Sequence, residues 1–249
     1  MRILVTGGAG FIGSHVIKKL LQQEENVVFN IDKMGYASNP YILDDLKKQN
    51  NSISTNQYKF LNIDLASKTD TEKAVEEAKP NLIMHLAAES HVDRSIDGPE
   101  EFIKSNIVGT FNLLESARKF WSTLNSDDKK NFRFHHISTD EVFGSLGDLG
   151  SFSEETPYDP RSPYSASKAS SDHLVKAWFH TYKLPIILTN CSNNYGPWQF
   201  PEKLIPLTIN KALSKQNIPL YGDGKNIRDW LFVEDHVNAL LKLSFLGKL

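Results

Sequence analysis

Tyr164, Lys168 and Thr139 have the types and spacing that proton transfer from a hydroxyl compound requires. Tyr164 and Lys168 are four residues apart, so on a helix they share one face. A lysine charge beside a phenol lowers the pKa of that phenol, which makes tyrosine a usable base near neutral pH. Thr139 ends a predicted strand and would place a hydroxyl beside this pair. The alternatives are an exposed Tyr–Lys pair and a threonine that serves only as a strand former.

Two adjacent carboxylates, Asp140 and Glu141, follow Thr139 directly. In a strand, neighbouring side chains point to opposite faces, whereas in a turn they can converge on one ligand. Two carboxyl groups in one dry site repel each other, so one keeps its proton while the other ionises. That arrangement supplies the acid and the base that elimination of water requires. The alternative is a solvated turn in which both acids face water.

A glycine-rich segment, Gly7-Gly8-Ala9-Gly10-Phe11-Ile12-Gly13, lies between the first predicted strand and the first predicted helix. Glycines allow a tight turn and a close approach of the backbone to a pyrophosphate at the helix N-terminus. Asp32 ends the second predicted strand 19 residues after Gly13, which is the distance expected for a carboxylate that binds a ribose. Such a carboxylate repels a 2′-phosphate, so NAD is favoured over NADP, and Lys33 weakens that preference slightly. The alternative is a plain tight turn with an N-cap aspartate.

Asp64 follows the third predicted strand, and its role stays open between two interpretations. Its carboxylate could accept a hydrogen bond from the edge of an adenine ring. Equally, it could cap the helix that follows, since aspartate is a favoured N-cap residue.

Strands and helices alternate along the chain, and this pattern predicts the frame that positions these groups. We predict strands at 2–5, 27–31, 58–61, 81–85, 132–137 and 185–189, and helices at 11–21, 70–78, 99–121, 162–182, 206–214 and 234–245. Segment 39–56 is predicted to be a loop with a short helix, and 125–131 a charged turn. The alternation predicts an α/β fold with a Rossmann-type, doubly wound parallel sheet at 1–190 and a smaller, loop-rich lobe at 191–249. Ligands collect beyond the carboxyl ends of such strands.

Composition excludes several classes of protein. The 249 residues carry a formal net charge of −2, which argues against a nucleic-acid binder. The single cysteine, Cys191, excludes an intramolecular disulfide and a Cys-rich metal site, and it suits a reducing, cytoplasmic compartment. The histidines lack the spacing of metal ligands, so we expect no metal. We expect no membrane span, because no apolar stretch approaches the ~20 residues that one needs, and no signal peptide.

Several motifs together resemble the extended short-chain dehydrogenase/reductase superfamily, whose members use NAD(P) on nucleotide sugars. They are Thr6–Gly13, the Asp32 position, Leu86-Ala87-Ala88 and Tyr164-x-x-x-Lys168. Segment 136–144 is similar to the active-site segment of the dTDP-glucose 4,6-dehydratases, and segments 85–95, 189–197, 200–206 and 228–236 also match that family. The related 4-epimerases have small or apolar residues in place of the two carboxylates.

The resemblance implies a lyase that makes a 4-keto-6-deoxy sugar nucleotide, with dTDP-glucose as the favoured substrate. It implies that Tyr164, assisted by Lys168 and Thr139, takes the proton of the sugar 4-hydroxyl while NAD takes the hydride. Glu141 would then remove the proton at C5, which the 4-ketone has acidified. Asp140 would protonate the departing 6-hydroxyl, and the hydride would return to C6.

The resemblance also implies the binding residues. Those for NAD are Gly7, Gly10, Phe11, Ile12, Gly13, Asp32, Lys33, Met34, Gly35, Asp64, Leu65, Leu86, Ala87, Ala88, Ser105, Tyr164, Lys168 and Asn194. Those for the nucleotide sugar are Ser90, Thr139, Asn193, Lys203, Leu204, Pro219, Leu220, Tyr221 and Arg228. Without the resemblance, Lys203 and Arg228 would be interpreted as solvated surface charges.

The helices at 99–121 and 162–182 resemble the helix bundle through which members of this family dimerise, so a homodimer is expected. Family members continue with further strands and loops, so the lobe at 191–249 is expected to be incomplete. Two alternatives to the dehydratase remain at this stage. One is a 4-epimerase, and the other is a non-catalytic NAD(H)-binding module.

Overall fold

A six-stranded parallel sheet forms the centre of the computed structural model, which describes residues 1–49, 57–146, 149–220 and 222–246. The strands are β1 (Arg2–Thr6), β2 (Val27–Asp32), β3 (Tyr58–Asn62), β4 (Leu82–His85), β5 (Arg133–Thr139) and β6 (Ile186–Cys191). Their order in the sheet is β3-β2-β1-β4-β5-β6, and every pairing is parallel. The chain reverses its direction of progress between β1 and β4, and this point is where doubly wound sheets bind dinucleotides. The predicted Rossmann-type sheet is confirmed.

Helices connect the strands and cover the sheet. They are α1 (Phe11–Leu20), α2 (Pro40–Gln49), α3 (Lys68–Ala78), α4 (Val92–Asp97), α5 (Pro99–Phe102), α6 (Gly109–Thr123), α7 (Ser126–Asn131), α8 (Pro163–Tyr182), α9 (Leu204–Leu213) and α10 (Val233–Leu246). A π-helical turn, Ile103–Val108, joins α5 to α6, and a 3-10 turn, Asp140–Phe143, follows β5. A second parallel pair consists of β7 (Asn193–Tyr195) and β8 (Trp230–Phe232).

The core lies in two layers, one on each face of the sheet, because side chains alternate along a strand. On one face Ile3 and Val5 pack with Val16 of α1 and Leu240 of α10. On the other face Leu4 and neighbouring strand residues pack with helices α3, α6 and α8. Helix α10 therefore returns to the main sheet and covers the helix that opens from the glycine loop. The predicted boundary at residue 190, between the sheet domain and the smaller lobe, stays a prediction.

Helix α8 begins where its sequence predicts. Ser162 is the N-cap and Pro163 occupies the first turn, as expected. The Ser162 hydroxyl accepts a hydrogen bond from the backbone N–H of Ser165 at 3.0 Å, and the Ser165 hydroxyl accepts one from the backbone N–H of Ser162 at 2.9 Å. This reciprocal capping box satisfies two N–H groups that a helix start leaves free. It fixes the first turn of α8, on which Tyr164 lies.

Three local elements differ from the sequence predictions. The helix predicted at 99–121 is interrupted by the π-helical turn, where the carbonyl of Asn106 accepts from the hydroxyls of Thr110 and Ser171, each at 2.6 Å. Side-chain donors of this kind compete with the regular helical ladder. The turn predicted at 125–131 contains α7, which the Asn125 side chain caps. Segment 40–49 is a full helix, and 50–56 lies outside the described residues.

Candidate active site

A cavity of about 480 Å³ opens at the carboxyl edge of the main sheet, within the usual range for ligand sites. Most of the residues predicted to bind cofactor or substrate line it. They are Gly7, Gly10, Phe11, Ile12, Gly13, Asp32, Lys33, Gly35, Asp64, Leu65, Leu86, Ala87, Ala88, Ser90, Ser105, Thr139, Glu141, Tyr164, Lys168, Asn193, Asn194, Lys203, Leu204 and Arg228. The fold thus brings residues from both ends of the sequence into one crevice.

Four predicted residues do not line this cavity. Met34 supports the site through its backbone N–H, which donates to the Asp32 carboxylate at 2.8 Å. Asp140 lies at the edge of the cavity, beside Thr139. Pro219 and Leu220 lie in an exposed stretch after α9, and Leu220 is 74% exposed because the described residues pack little against it. The predicted nucleotide-base residue Tyr221 lies outside the described residues.

The glycine loop is shaped so that only backbone fits its inner side. Gly7 has a φ of +76°, and a Cβ there would lie 2.8 Å from the Cα of Ala87. A Cβ on Gly13 would overlap the carbonyl oxygen of Gly7. No described side chain caps α1, so the amides at its N-terminus stay available to a ligand. The loop therefore fits a diphosphate bound at a helix N-terminus.

Replacing Gly13 with alanine is expected to weaken NAD binding and to destabilise the fold by about 1–3 kcal/mol, because α1 must move away from Gly7. Calorimetric titration with NAD and thermal unfolding would measure the two effects. Gly98→Ala is the matched control, since its Cβ would meet nothing closer than 3.8 Å and its φ is not positive. Equal NAD affinity in the two variants would contradict the close-packing argument.

Asp32 is buried at the end of β2, and three hydrogen bonds hold its carboxylate. It accepts from the backbone N–H of Ala9 at 2.9 Å, the backbone N–H of Met34 at 2.8 Å and the hydroxyl of Ser38 at 2.8 Å. A carboxylate has about four acceptor sites, so one acceptor site is left for a ribose hydroxyl. The geometry fits the predicted ribose contact.

Lys33 weakened the sequence argument for NAD, but in the structure a carboxylate compensates for its positive charge. Its ammonium forms an ion pair with Glu89 at 2.7 Å and donates to the hydroxyl of Ser105 at 2.8 Å. An ammonium already paired in this way attracts a 2′-phosphate less than a free one would. Sequence reasoning missed Glu89, which is 56 positions away along the chain and follows the predicted Leu86-Ala87-Ala88 segment.

Tyr164 and Lys168 are both buried, so the alternative of an exposed surface pair is wrong. The pKa of the phenol shifts upward in the structure, opposite to the shift that a neighbouring lysine charge alone would cause. Burial raises the pKa of Tyr164, and the Glu141 carboxylate raises it further, while the Thr139 hydroxyl lowers it. The Lys168 ammonium instead donates to the backbone carbonyl of Ile137 at 3.0 Å. This hydrogen bond ties the Lys168 side chain to the end of β5.

The turn that carries Asp140 and Glu141 is half-buried at the site, so the alternative of a solvated turn is wrong. Thr139 starts this turn, and its hydroxyl accepts from the backbone N–H of Glu141 at 3.2 Å. Burial raises the pKa of Asp140. Burial also raises the pKa of Glu141, and the neighbouring charge of Asp140 adds to that rise. Both carboxyls therefore hold protons more strongly than solvated ones do, which suits an acid and a base.

Two cationic side chains face these carboxylates across the cavity. Arg228 is exposed and lines the cavity, and its charge lowers the pKa of both Asp140 and Glu141. Lys203 also lines the cavity, and burial lowers the pKa of its ammonium while Glu202 and Glu141 raise it. Their place in the crevice favours an anion-binding role over that of solvated surface charges.

Asp64 lines the cavity and is not the helix cap. Its carboxylate accepts from the backbone N–H of Ala66 at 2.9 Å, in the turn before α3. Ser67 is the N-cap of that helix. The capping interpretation is therefore wrong, and contact with an adenine edge stays a prediction.

Sequence reasoning also missed a group of residues at the mouth of the cavity. The rings of Tyr36 and Phe200 meet edge to face with centroids 5.5 Å apart, and the Arg94 guanidinium lies 4.0 Å from the Tyr36 ring centroid. Glu202 lies 3.2 Å from His91 and 3.7 Å from Arg94. These contacts join the loop after β2, helix α4 and the segment before α9. Such loop residues carry no periodic signal in a sequence.

The histidines have structural partners. His135 contacts the hydroxyls of Ser244 and Thr189, and His136 contacts Asp172 on the opposite face of β5. Within the described ranges there is no cluster of three or more His, Cys, Asp or Glu side chains that could hold a metal ion. None of the helices in the described chain has both the length and the apolar content to cross a membrane.

A Rossmann sheet that brings a glycine loop, a Tyr–Lys pair and the Glu141 carboxylate into one crevice, with Asp140 beside Thr139, defines a protein of the extended short-chain dehydrogenase/reductase class. The model of the family described as GDP-mannose 4,6 dehydratase matches residues 4–245. The chain belongs to this family of nucleotide-sugar dehydratases.

Individual relatives show which kind of dehydratase this chain resembles. A dTDP-glucose 4,6-dehydratase from Salmonella typhimurium is 54% identical over an alignment of 257 positions, which spans 100% of this chain and 70% of the relative. One from Neisseria meningitidis is 54% identical over 247 residues, covering 99% and 68%. The solved dTDP-glucose 4,6-dehydratase from Bacillus anthracis, in complex with NAD, has a TM-score of 0.86 and 41% identity, covering 100% and 73%. The resemblance stated from the motifs is confirmed.

Proposed function

We propose that this protein is an NAD-dependent hydro-lyase that converts dTDP-glucose to dTDP-4-keto-6-deoxyglucose and water. One observation carries the proposal: Thr139, at the end of β5, and Glu141, in the turn that follows, line one cavity with the buried Tyr164, and Asp140 lies between them in the chain. The charges of Asp140 and Glu141 both raise the pKa of that phenol, which supports a role for the three groups in one reaction. The names of the relatives support the same reaction.

The glycine loop and Asp32 would hold the cofactor, with the diphosphate at the start of α1 and a ribose at the free acceptor site of the carboxylate. Asn194 lines the other side of the cavity, and its side-chain oxygen contacts Nδ1 of the His236 ring at 2.8 Å. When bound, NAD would supply the acceptor for the hydride of C4 and a positive charge that opposes the effect of burial on the phenol.

Tyr164 acts first, as the base for the 4-hydroxyl proton. The Thr139 hydroxyl lowers the pKa of this phenol and would also contact the sugar oxygen. Loss of the proton from the 4-hydroxyl oxygen and of a hydride from C4 leaves a ketone at C4. This ketone acidifies the proton at C5, which is why oxidation must precede elimination.

Glu141 and Asp140 then carry out the elimination. Glu141 takes the C5 proton, and its raised pKa makes its ionised form a stronger base. Asp140 gives its proton to the departing 6-hydroxyl, which leaves as water, and its raised pKa favours the protonated form that this step needs. The hydride would then return to C6 and a proton would be added at C5, which gives the 6-deoxy product and restores oxidised NAD. Arg228 and Lys203 would bind the diphosphate of the substrate, a role that suits the planar, cationic guanidinium in particular.

Incubation of the NAD-loaded protein with dTDP-glucose tests the proposal. We expect a 4-keto product that develops a strong absorbance in base. A 4-epimerase would instead release the C4 epimer without loss of water. A binding module would bind NAD(H) and show no saturable binding of the sugar nucleotide. Either of these last two results would contradict the dehydratase.

A homodimer is part of the proposal, formed through what we call the α6–α8 face. This face consists of Ile103, Val108, Phe111, Phe179 and Tyr182, which are 39–46% exposed. The rings of Phe111 and Trp178 join the two helices with centroids 5.9 Å apart. Large apolar side chains grouped on neighbouring helices are typical of a surface that a second copy covers.

Introducing a charge on this face is expected to separate the dimer. Phe111→Glu should shift the mass measured by light scattering from two chains to one, because burying an unpaired carboxylate is costly. Leu213→Glu, at a 79% exposed position on α9, is the matched control and should stay dimeric. A monomeric mass for the unaltered protein would contradict the proposed assembly.

We also place the protein in the cytoplasm. Cys191 is a free thiol in the cavity, and a single thiol of this kind is typical of a reducing compartment.

A further inference from the structure

A third polar residue continues the row that Tyr164 and Lys168 begin on helix α8. Asp172 is four residues beyond Lys168, so the three side chains lie on one face of the helix. The side chain of Asp172 is 0% exposed. Burying a carboxylate is costly unless hydrogen bonds and a countercharge compensate for the lost water. Its surroundings must therefore supply both.

The carboxylate of Asp172 is held on both oxygens. Nε2 of His136, on β5, contacts Oδ1 at 3.0 Å. Three groups donate to Oδ2: the hydroxyl of Ser138 on β5 at 2.9 Å, the hydroxyl of Tyr158 in the loop before α8 at 2.9 Å, and the amide of Asn190 on β6 at 3.4 Å. The amide of Asn190 also donates to the backbone carbonyl of Thr139 at 3.0 Å. One side chain thus ties the helix that carries the base to the strand end that carries Thr139.

Asp172 also supplies the negative charge that faces the buried ammonium of Lys168. Burial lowers the pKa of Lys168, and the Asp172 charge raises it. The other titratable groups that face this ammonium are Cys191 on β6, His85 on β4 and His136 on β5. Burial lowers the pKa of both histidines, which favours their uncharged forms. The Asp172 charge therefore favours the protonated form of Lys168 and opposes the effect of burial.

We propose that Asp172 is a positioning residue for the reaction described above. Its hydrogen bonds hold the Thr139 end of β5 against α8, its carboxylate lies one helical turn from the Lys168 ammonium, and its buried side chain does not line the cavity. This inference rests on the proposed function. It adds a member to the Tyr164–Lys168 pair that acts through both its hydrogen bonds and its charge.

Asp172→Asn separates these effects, because an amide of the same shape keeps the packing and loses the charge. His136 can exchange its tautomer to accept from the new amide, since its Nδ1 is buried without another partner among the described residues. We expect the first oxidation of dTDP-glucose, followed as reduced nicotinamide in a single turnover, to slow by about 10–100-fold. We also expect the alkaline limb of its pH profile to move to lower pH, because Lys168 loses its proton more readily.

Tyr158→Phe is the matched control, since it removes one hydrogen bond from Asp172 and leaves the charge. Its alkaline limb should coincide with that of the unaltered protein. An Asp172→Asn profile that also coincides would overturn the inference, whether or not its rate falls. If Asp172→Asn does not fold, Asn190→Ala should slow the oxidation with its alkaline limb unmoved, and an unchanged rate would overturn the inference. An unaltered protein that does not oxidise dTDP-glucose would overturn the proposed function instead.

Discussion

Replacing Tyr164 with phenylalanine is expected to lower kcat for dTDP-glucose by about 10²–10⁴-fold, the usual contribution of a positioned base. The phenol is buried beside Glu141, and the described residues offer no other phenol at that point of the cavity. Because phenylalanine preserves the ring, its contact with Phe102 and the packing of α8 should survive. NAD affinity should change little. The loss should therefore fall on the first chemical step.

Single-turnover formation of reduced nicotinamide, read by its absorbance, measures that step directly. Tyr41→Phe is the matched control, since it removes a phenol from a 73% exposed position on α2. That control should retain the normal rate. A Tyr164→Phe protein that oxidises the sugar at an undiminished rate would show that another group takes the proton.

The Asp140→Asn variant is expected to slow loss of water by about 10²–10⁴-fold and to leave the first oxidation within a few-fold of normal. An amide cannot give a proton to the departing 6-hydroxyl, whereas Tyr164 and Lys168 are untouched. Reduced nicotinamide should therefore accumulate on the enzyme. In the unaltered protein the same proton makes elimination fall as pH rises through the pKa of Asp140, which burial has raised.

Comparing the two rates in one experiment decides the role of Asp140. Stopped-flow absorbance gives the oxidation, and chemical quenching gives the 4-keto-6-deoxy product. Asp127→Asn, at an exposed position on α7, is the matched control and should leave both rates unchanged. Equal slowing of the two steps by Asp140→Asn would contradict a role confined to the elimination.

The parallel sheet was predictable because its strands are short apolar runs that alternate with helices. Parallel strands end at the same edge of the sheet, which is why Gly7, Asp32 and Thr139 meet there. The role of the carboxylate pair could not be predicted from spacing, which alone favoured a solvated turn for Asp140 and Glu141. Only the resemblance to a family distinguished those interpretations.

Side-chain partners distant in the sequence could not be predicted. Nothing near Lys33 indicates that Glu89 neutralises it, and nothing near Lys168 indicates that its ammonium donates to Ile137. The pKa of Tyr164 was predicted in the wrong direction for the same reason, because burial is a property of the whole fold. The position of Leu220 outside the cavity likewise depends on packing that a single sequence does not reveal.

The packing of α10 on α1 has a consequence for the synthesis of the protein on the ribosome. Val16 and Leu20 leave the exit tunnel early, yet the side chains that cover them, Val237 and Leu240, are synthesised more than 200 residues later. Until then the nascent chain must carry an uncovered apolar surface. Contacts between such distant segments slow folding and prolong exposure to aggregation. We therefore expect the newly made amino-terminal half to be a client of chaperones until translation has passed α10.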